Sequence, residues 1–155
     1  MLVRRREERG SILLLVPAGI LIMLVLAAIA VDSAVIFLAE REAEAAASAA
    51  ANDIAALAVD PQVLRNEGVY FIDPANLDAL GAPASAAITA QLSAAFEPGT
   101  VVVELARLSD TEILVTVTGE AIRVIGPLGT GTIRGSTTVS ANAVGTANAG
   151  RPAGP

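Results

Sequence analysis

Carboxylates are the main side chains of this chain that could do chemistry. The 155 residues include no histidine, cysteine or tryptophan, and all ten basic residues are arginine. Without histidine or cysteine there is no Ser-His-Asp triad, no thiol nucleophile and no zinc site of the usual kind. Without lysine there is no Schiff base and no Walker A loop. The composition therefore argues against an enzyme.

Two short stretches partly match known binding sites. Asp73 and Asp78 lie in a predicted loop where carboxylates could bind Ca²⁺, but they lack EF-hand spacing, and solvated turn residues are the simpler interpretation. Residues 129–135, GTGTIRG, have the glycines of a dinucleotide-binding fingerprint. Their final spacing is wrong for that motif, and they lie between predicted strands. We therefore expect no metal and no cofactor.

Charge is distributed unevenly along the chain. The net charge of −6 divides into +2 over residues 1–31 and −8 over residues 32–155. Nucleic-acid binding requires a basic surface. The acidic excess of the larger segment therefore argues against a nucleic-acid partner.

An apolar run dominates the N-terminal third. Residues 12–31 are 20 positions without a charge or a hydrogen-bonding side chain, and a helix of that length measures about 30 Å, the thickness of the hydrocarbon core of a bilayer. Pro17 and Gly19 lie within it, and both residue types are tolerated in membrane helices. We predict a transmembrane helix over residues 11–31. Its large apolar members are Ile12, Leu13, Leu14, Leu15, Ile20, Leu21, Ile22, Leu24, Val25, Leu26, Ile29 and Val31.

The charges that flank this run predict its orientation. Residues 1–10 form a basic head, which the positive-inside rule places in the cytoplasm. Asp32 follows the run on the other side. We expect an anchor in the cytoplasmic membrane, with the C-terminal domain outside the cytoplasm; incorporation into an extracellular filament stays open. The basic residues of the head are Arg4, Arg5, Arg6 and Arg9.

Two other interpretations of the apolar run stay open. It could be a buried core helix. It could also be a signal peptide, since Ala28-Ile29-Ala30 fits the small-x-small rule for cleavage after Ala30. The run exceeds the ~7–15 apolar residues typical of a signal peptide, so the uncleaved anchor is preferred.

The helical pattern continues beyond the apolar run. Residues 33–59 contain no glycine or proline and are rich in alanine, the best helix former. Asp60-Pro61 is expected to end the helix, so residues 32–59 form an extracytoplasmic extension. One stripe of it predicts a packing seam, buried against a neighbouring chain, the protein's own domain, or both. The seam consists of Ala43, Ala47, Ala50, Ile54 and Leu57.

Residues 60–144 are predicted to form a small domain. Turn signals fill residues 60–83, with one short edge strand over 69–72. A second short helix begins at Pro83, with Ile88, Leu92 and Phe96 on one face.

The rest of this domain is predicted as β-structure. Alternating apolar residues predict strands over residues 100–108, 112–118 and 132–144, forming an antiparallel meander. The alanine-rich helix would cover its apolar face. The fold class is therefore α+β, and residues 145–155 are expected to be a disordered tail.

The order of these segments is familiar. A basic head ending in Arg9-Gly10, a span from Ser11, then Ala30-Val31-Asp32, an alanine-rich helix and the β-rich residues 115–145 follow one another. In this order the chain resembles the TadE/TadG-like proteins of the tight-adherence (Flp) pilus system. The resemblance extends over nearly the whole chain and is strongest over residues 4–59.

The resemblance implies a pilin-like fold and a role as minor pilin, pseudopilin or pilus-assembly protein. The lipid bilayer and other pilin-like or assembly proteins would be its partners. Some family members are cleaved by a prepilin peptidase, which here implies the Gly10–Ser11 bond. Cleaved members usually carry a glutamate five residues into the mature chain, where this sequence has Leu15. It is therefore more similar to TadG-like members that remain anchored.

A receptor-like membrane protein with an extracytoplasmic binding module is the second functional hypothesis. A secreted protein released after Ala30 is the third. The sequence offers neither an aromatic cluster nor a convergent set of polar groups for a small ligand. The pilus-related role is therefore preferred.

Overall fold

The computed structural model describes residues 8–123 and 135–148, as backbone alone over residues 8–14. Within these ranges three helices, α1 to α3, precede three strands, β1 to β3. The architecture is α+β, as the sequence predicts. The N-terminal helix is long and apolar, and its second half packs on a small antiparallel sheet.

Helix α1 spans Glu8–Leu57, 50 residues without a break. At ~1.5 Å per residue its length is about 75 Å. Pro17 lies inside the helix without ending it. The sequence continues with aliphatic residues and alanine, which favour an uninterrupted helix.

Helices α2, Pro61–Glu67, and α3, Pro74–Leu92, both begin at an Asp-Pro pair. Asp60 precedes α2 and accepts hydrogen bonds from the amides of Gln62 and Val63, at 2.6 and 3.3 Å. Asp73 precedes α3 and accepts one from the amide of Ala75 at 3.0 Å. A capping aspartate satisfies free amide donors, while the following proline already has the φ angle of a helix.

Three predictions for residues 60–96 were wrong. The predicted loop, residues 60–83, contains all of α2 and the first ten residues of α3, so Pro83 lies inside α3 rather than at its start. Phe96 lies beyond the end of α3, although it is buried. Ile72 forms only an isolated bridge with Val59 and no edge strand. Asp-Pro marks a helix start as well as a turn, which explains the first error.

The strands are β1, Val102–Arg107, β2, Glu112–Arg123, and β3, Gly135–Thr146. They form an antiparallel sheet in the order β1-β2-β3, which confirms the predicted meander. Alternation is strict along β2, whose inner residues include Ile113, Val115 and Val117, each 0–1% exposed.

Strand β3 continues past the predicted start of the disordered tail. Gly145 and Thr146 pair with Ile113 and Glu112 of β2. Ala147 is buried, and its amide donates to the carbonyl of Thr111 at 2.7 Å. The predicted boundary at residue 145 was therefore too early, while residues 149–155 lie outside the described ranges.

The second half of α1 shares one hydrophobic core with the sheet and α3. Its contribution is almost entirely alanine, which lets backbones approach closely. The closest approach is at Gly145, where an added Cβ would lie 1.9 Å from the carbonyl oxygen of Ala51. This alanine face of α1 consists of Ala39, Ala43, Ala46, Ala47, Ala51 and Ala55, all buried.

Candidate functional site: an apolar stalk and its junction with the sheet

The first half of α1 projects from the fold as an apolar stalk, defined here as residues 15–31. Each of its large apolar side chains is exposed, from 37% at Val25 to 71% at Leu15. Because consecutive residues point in different directions around a helix, this exposure means that the described part of the chain buries no large apolar side chain of the stalk.

The stalk fits a membrane-crossing helix by length and composition. The most apolar 18-residue window of Leu15–Leu57 has a mean hydropathy of 2.8, and 6% of that window is buried. A core helix of a soluble protein would be mostly buried, so that interpretation does not fit. Among the described residues, α1 alone passes this test of length and composition, and a single-pass anchor or a signal sequence would both pass it.

The other predicted span and topology residues lie at the margin of the described chain. Arg4, Arg5 and Arg6 are outside it. Arg9 and the residues of the Gly10–Ser11 bond belong to the first turns of α1, as do Ile12, Leu13 and Leu14, all described as backbone. The candidate processing bond is therefore in a helical conformation.

Asp32 lies where the stalk meets the sheet, and Arg123 binds it there. The Nε of Arg123 donates a hydrogen bond to Oδ2 of Asp32 at 2.8 Å, and Nη2 forms an ion pair with the same oxygen at 2.8 Å. The Asp32 side chain is 9% exposed and that of Arg123 29%. A carboxylate this buried needs pairing, since desolvation of an unpaired charge is costly. The pair therefore joins the end of β2 to the top of the stalk.

Sequence analysis placed Asp32 as a flanking charge but missed Arg123. A signal for Arg123 was present in the alternation of β2. Arg123 has the same parity as Ile113, Val115, Val117 and Ala121, which all point into the core. A charged residue at a core-facing position requires a buried partner.

The predicted packing seam is only partly buried. Ala43, Ala47 and Ile54 are 0–3% exposed and belong to the core shared with the sheet and α3, whereas Ala50 is half-buried and Leu57 is 66% exposed. The protein's own domain thus covers most of the seam. The buried surface is the wider alanine face, because residues at both i+3 and i+4 point toward the sheet.

The two aspartates singled out for metal binding belong to α3 and its cap, whereas Gly135 of the candidate nucleotide stretch pairs with Arg123 at the junction. Asp73 caps α3, and Asp78 is an exposed residue within that helix. The described residues contain no cluster of three or more potential metal ligands. Most of the GTGTIRG stretch lies outside the described ranges, and its last residue, Gly135, opens β3.

An open groove of about 270 Å³ lies between α1 and α3. Its lining is largely apolar, with Ile54, Leu80 and Ile88 among the larger side chains. Asp53 and Gln91 are its polar members, and both are exposed. The groove offers an apolar surface and no nucleophile–base pair.

The comparisons with known proteins supply no relative. The chain matches no protein-family model, no curated protein and no solved structure. The likeness to TadE/TadG-like proteins therefore stays a resemblance in the order of segments, and function is inferred from the stalk and its junction.

Proposed function

We propose that this chain is a membrane-anchored, non-enzymatic structural or assembly component of a tight-adherence (Flp) pilus or a related secretion system. The apolar stalk crosses the cytoplasmic membrane once, with the basic head inside and the α+β domain outside. One observation carries the proposal. A single unbroken helix, Glu8–Leu57, has exposed apolar side chains in its first half and packs one face against the sheet in its second half.

This continuity supports a mechanical role. A domain that merely needs tethering can follow its span through a flexible linker, which leaves its orientation free. Here no linker intervenes, and the Asp32–Arg123 pair holds the sheet to the helix at the end of the stalk. The stalk and the domain therefore have a fixed relative orientation. This is the property that a subunit or assembly factor needs if its outer surface must be aligned with neighbouring subunits.

The bare stalk offers the surface for partners within the membrane. Most of the alanine-rich seam already packs on the protein's own domain, so lateral contacts with pilin-like or assembly proteins would use the stalk. Leu15 leaves this stalk without the buried charge that a glutamate would introduce into hydrocarbon. An uncleaved, anchored protein is the form that this favours.

The location and processing are tested together. Membranes washed with carbonate should retain the intact chain, and sequencing of its N-terminus should begin at Met1. A start at Ser11 would identify a processed pilin. A start at Val31 in the aqueous fraction would identify a secreted protein and overturn the anchor.

The role in assembly needs its own test. Deleting the gene should reduce piliation and surface adherence, and restoring the full chain should recover both. A matched strain expressing residues 32–155 behind a cleavable signal peptide should not recover them if the anchor is required. Normal pili and adherence in the deletion strain would contradict the proposal.

A binding module on a membrane anchor is the second candidate, favoured by the groove between α1 and α3. Its outer domain would capture an apolar ligand and pass a signal through the rigid helix. Neighbouring genes for a kinase or regulator would support this role, whereas genes for a secretion ATPase and membrane platform would support the first.

A further inference from the structure

The apolar surface of α1 does not end at Asp32. Val31, Phe37 and Leu38 are 51–60% exposed, and no exposed charged residue occurs before Glu40 and Arg41. The charge of Asp32, by contrast, is turned toward Arg123 and largely buried. Seen from outside the protein, the helix remains apolar for two further turns.

These two turns are apolar on the side away from the sheet. At about 100° per residue, Ala34, Leu38 and Ala45 point in one direction, and all three are exposed. Asp32 and Ala39 point the opposite way and are buried. The sheet therefore covers one side of α1 at the level where the other side is still bare and apolar.

Phe37 and Arg41 mark the upper limit of this bare surface. The guanidinium carbon of Arg41 lies 6.0 Å from the centroid of the Phe37 ring. Aromatic rings collect at membrane–water interfaces, and long basic side chains there cover apolar surface while the charged group reaches water. The pair has the chemistry of such a boundary.

We propose that the sheet-free surface of residues 34–38 lies in the outer headgroup layer of the bilayer, so that the domain is seated on the membrane instead of standing clear of it. This inference rests on the membrane anchor in the proposed function. Water then begins at Arg41 on this side of α1. The Asp32–Arg123 pair lies at headgroup level, on the side of the helix that the sheet covers.

The dimensions agree with this placement. A helix over residues 12–38 is ~40 Å long and, at the common tilt of about 20°, extends about 38 Å along the bilayer normal. The hydrocarbon core takes about 30 Å of that length. The remaining ~8 Å is close to the thickness of one headgroup layer.

Lipid is the occupant that the continuity of the surface favours over a second copy of the chain. The patch at residues 34–38 joins the stalk without an intervening exposed charge, so an environment that solvates the stalk also solvates the patch. Glu42 is the glutamate just above that points nearest to the direction of Ala34, Leu38 and Ala45. A parallel neighbouring copy packed on this face would bring the Glu42 side chains of the two chains together.

The chain has no cysteine, which permits single nitroxide labels at chosen depths. The variants are Ile22→Cys in the stalk, Leu38→Cys in the patch, and Ala45→Cys as the matched control on the same face two turns higher. Each full-length variant is reconstituted into phosphatidylcholine/phosphatidylglycerol vesicles. Collision rates with oxygen, which concentrates in lipid, and with a water-soluble nickel chelate are then measured. Circular dichroism checks that the three variants have equal helix content.

The label at position 38 should collide with the nickel chelate several-fold less often than the label at position 45, and more often with oxygen. Equal nickel accessibility at 38 and 45, with position 22 protected, would overturn this inference and leave the anchor intact. Nickel accessibility at position 22 would contradict the membrane anchor itself. Protection of position 38 from both reagents, with spin–spin broadening, would show a second copy in place of lipid.

Discussion

The Nε of Arg123 donates to Oδ2 of Asp32 across 91 positions of sequence, and Nη2 lies 2.8 Å from the same oxygen. The contact joins the last residue of β2 to the point of α1 where the apolar stalk ends. Because the carboxylate is largely buried, the pairing offsets a desolvation cost that an exposed pair would not have. It therefore helps to hold the sheet against the helix at the base of the domain.

Replacing Arg123 with alanine should destabilise the domain. The substitution removes the positive charge that pairs with Asp32 and the charged hydrogen bond from Nε, so we expect a loss of about 1–3 kcal/mol in the free energy of unfolding. Thermal and chemical unfolding in detergent micelles, followed by circular dichroism, measures this loss.

Arg65→Ala is the matched control, since Arg65 is exposed and bonds only to the nearby Pro61 carbonyl among the contacts described. Asp32→Asn should also cost less stability in the Arg123→Ala background than in the native chain, because the interaction between these two side chains is already absent there. Equal effects of the two arginine substitutions would contradict a structural role for the pair.

Gly145→Ala should strongly destabilise the packing of β3 on α1. The new Cβ would lie 1.9 Å from the Ala51 carbonyl oxygen, so strand and helix must move apart. Overpacking of this kind costs about 1–3 kcal/mol or more. A lowered melting temperature and faster proteolysis of the domain are the expected results.

Gly81→Ala provides the comparison. Gly81 lies within α3, and its added Cβ would make an ordinary contact with Leu105 at 3.5 Å. Alanine is favoured over glycine inside a helix by roughly 0.5–1 kcal/mol, so this variant should be as stable as the native chain or more so. A destabilised Gly81→Ala together with a stable Gly145→Ala would show that the described approach of β3 to α1 is incorrect.

Enlarging the alanine face should separate buried from exposed positions on α1. Ala47 is 0% exposed, so Ala47→Leu introduces three extra carbon atoms into a filled core and should cost about 1–3 kcal/mol. Ala45→Leu places the same atoms in solvent and should leave the unfolding midpoint nearly unchanged. Differential scanning calorimetry measures the melting temperature of both variants. A larger decrease for Ala45→Leu than for Ala47→Leu would contradict the described packing of α1.

The two aspartates considered for Ca²⁺ binding should behave differently when mutated. Asp73→Ala removes the cap of α3 and should cost about 0.5–2 kcal/mol of stability. Asp78→Ala, in the exposed surface of the same helix, should have little effect. Unfolding measured with and without added Ca²⁺ checks both roles, and a calcium-dependent stabilisation lost in both variants would instead identify a cation site.

The helical start at Pro74 shows where reading the sequence failed. An Asp-Pro pair can end a preceding helix or begin a following one. Local sequence preference at residues 60 and 73 therefore allowed either a loop or a capped helix. The packing of Leu77, Ile88 and Leu92 into the core supplies the free energy that selects the helix. The sequence pattern found Ile88 and Leu92, but not the turns that precede them.

The sequence alone determined the long apolar helix, the alanine-rich continuation and the inward faces of the strands. Those features follow from composition and from periods of 3.6 and 2 residues, which operate over neighbouring positions. Only the tertiary structure decided that the sheet covers the alanine face and that Arg123 binds Asp32. The same is true of the close approach of Gly145 to the Ala51 backbone. Each of these contacts depends on the distance between segments that are remote in the chain. Close packing sets that distance, and the local periodicity of the sequence carries no information about it.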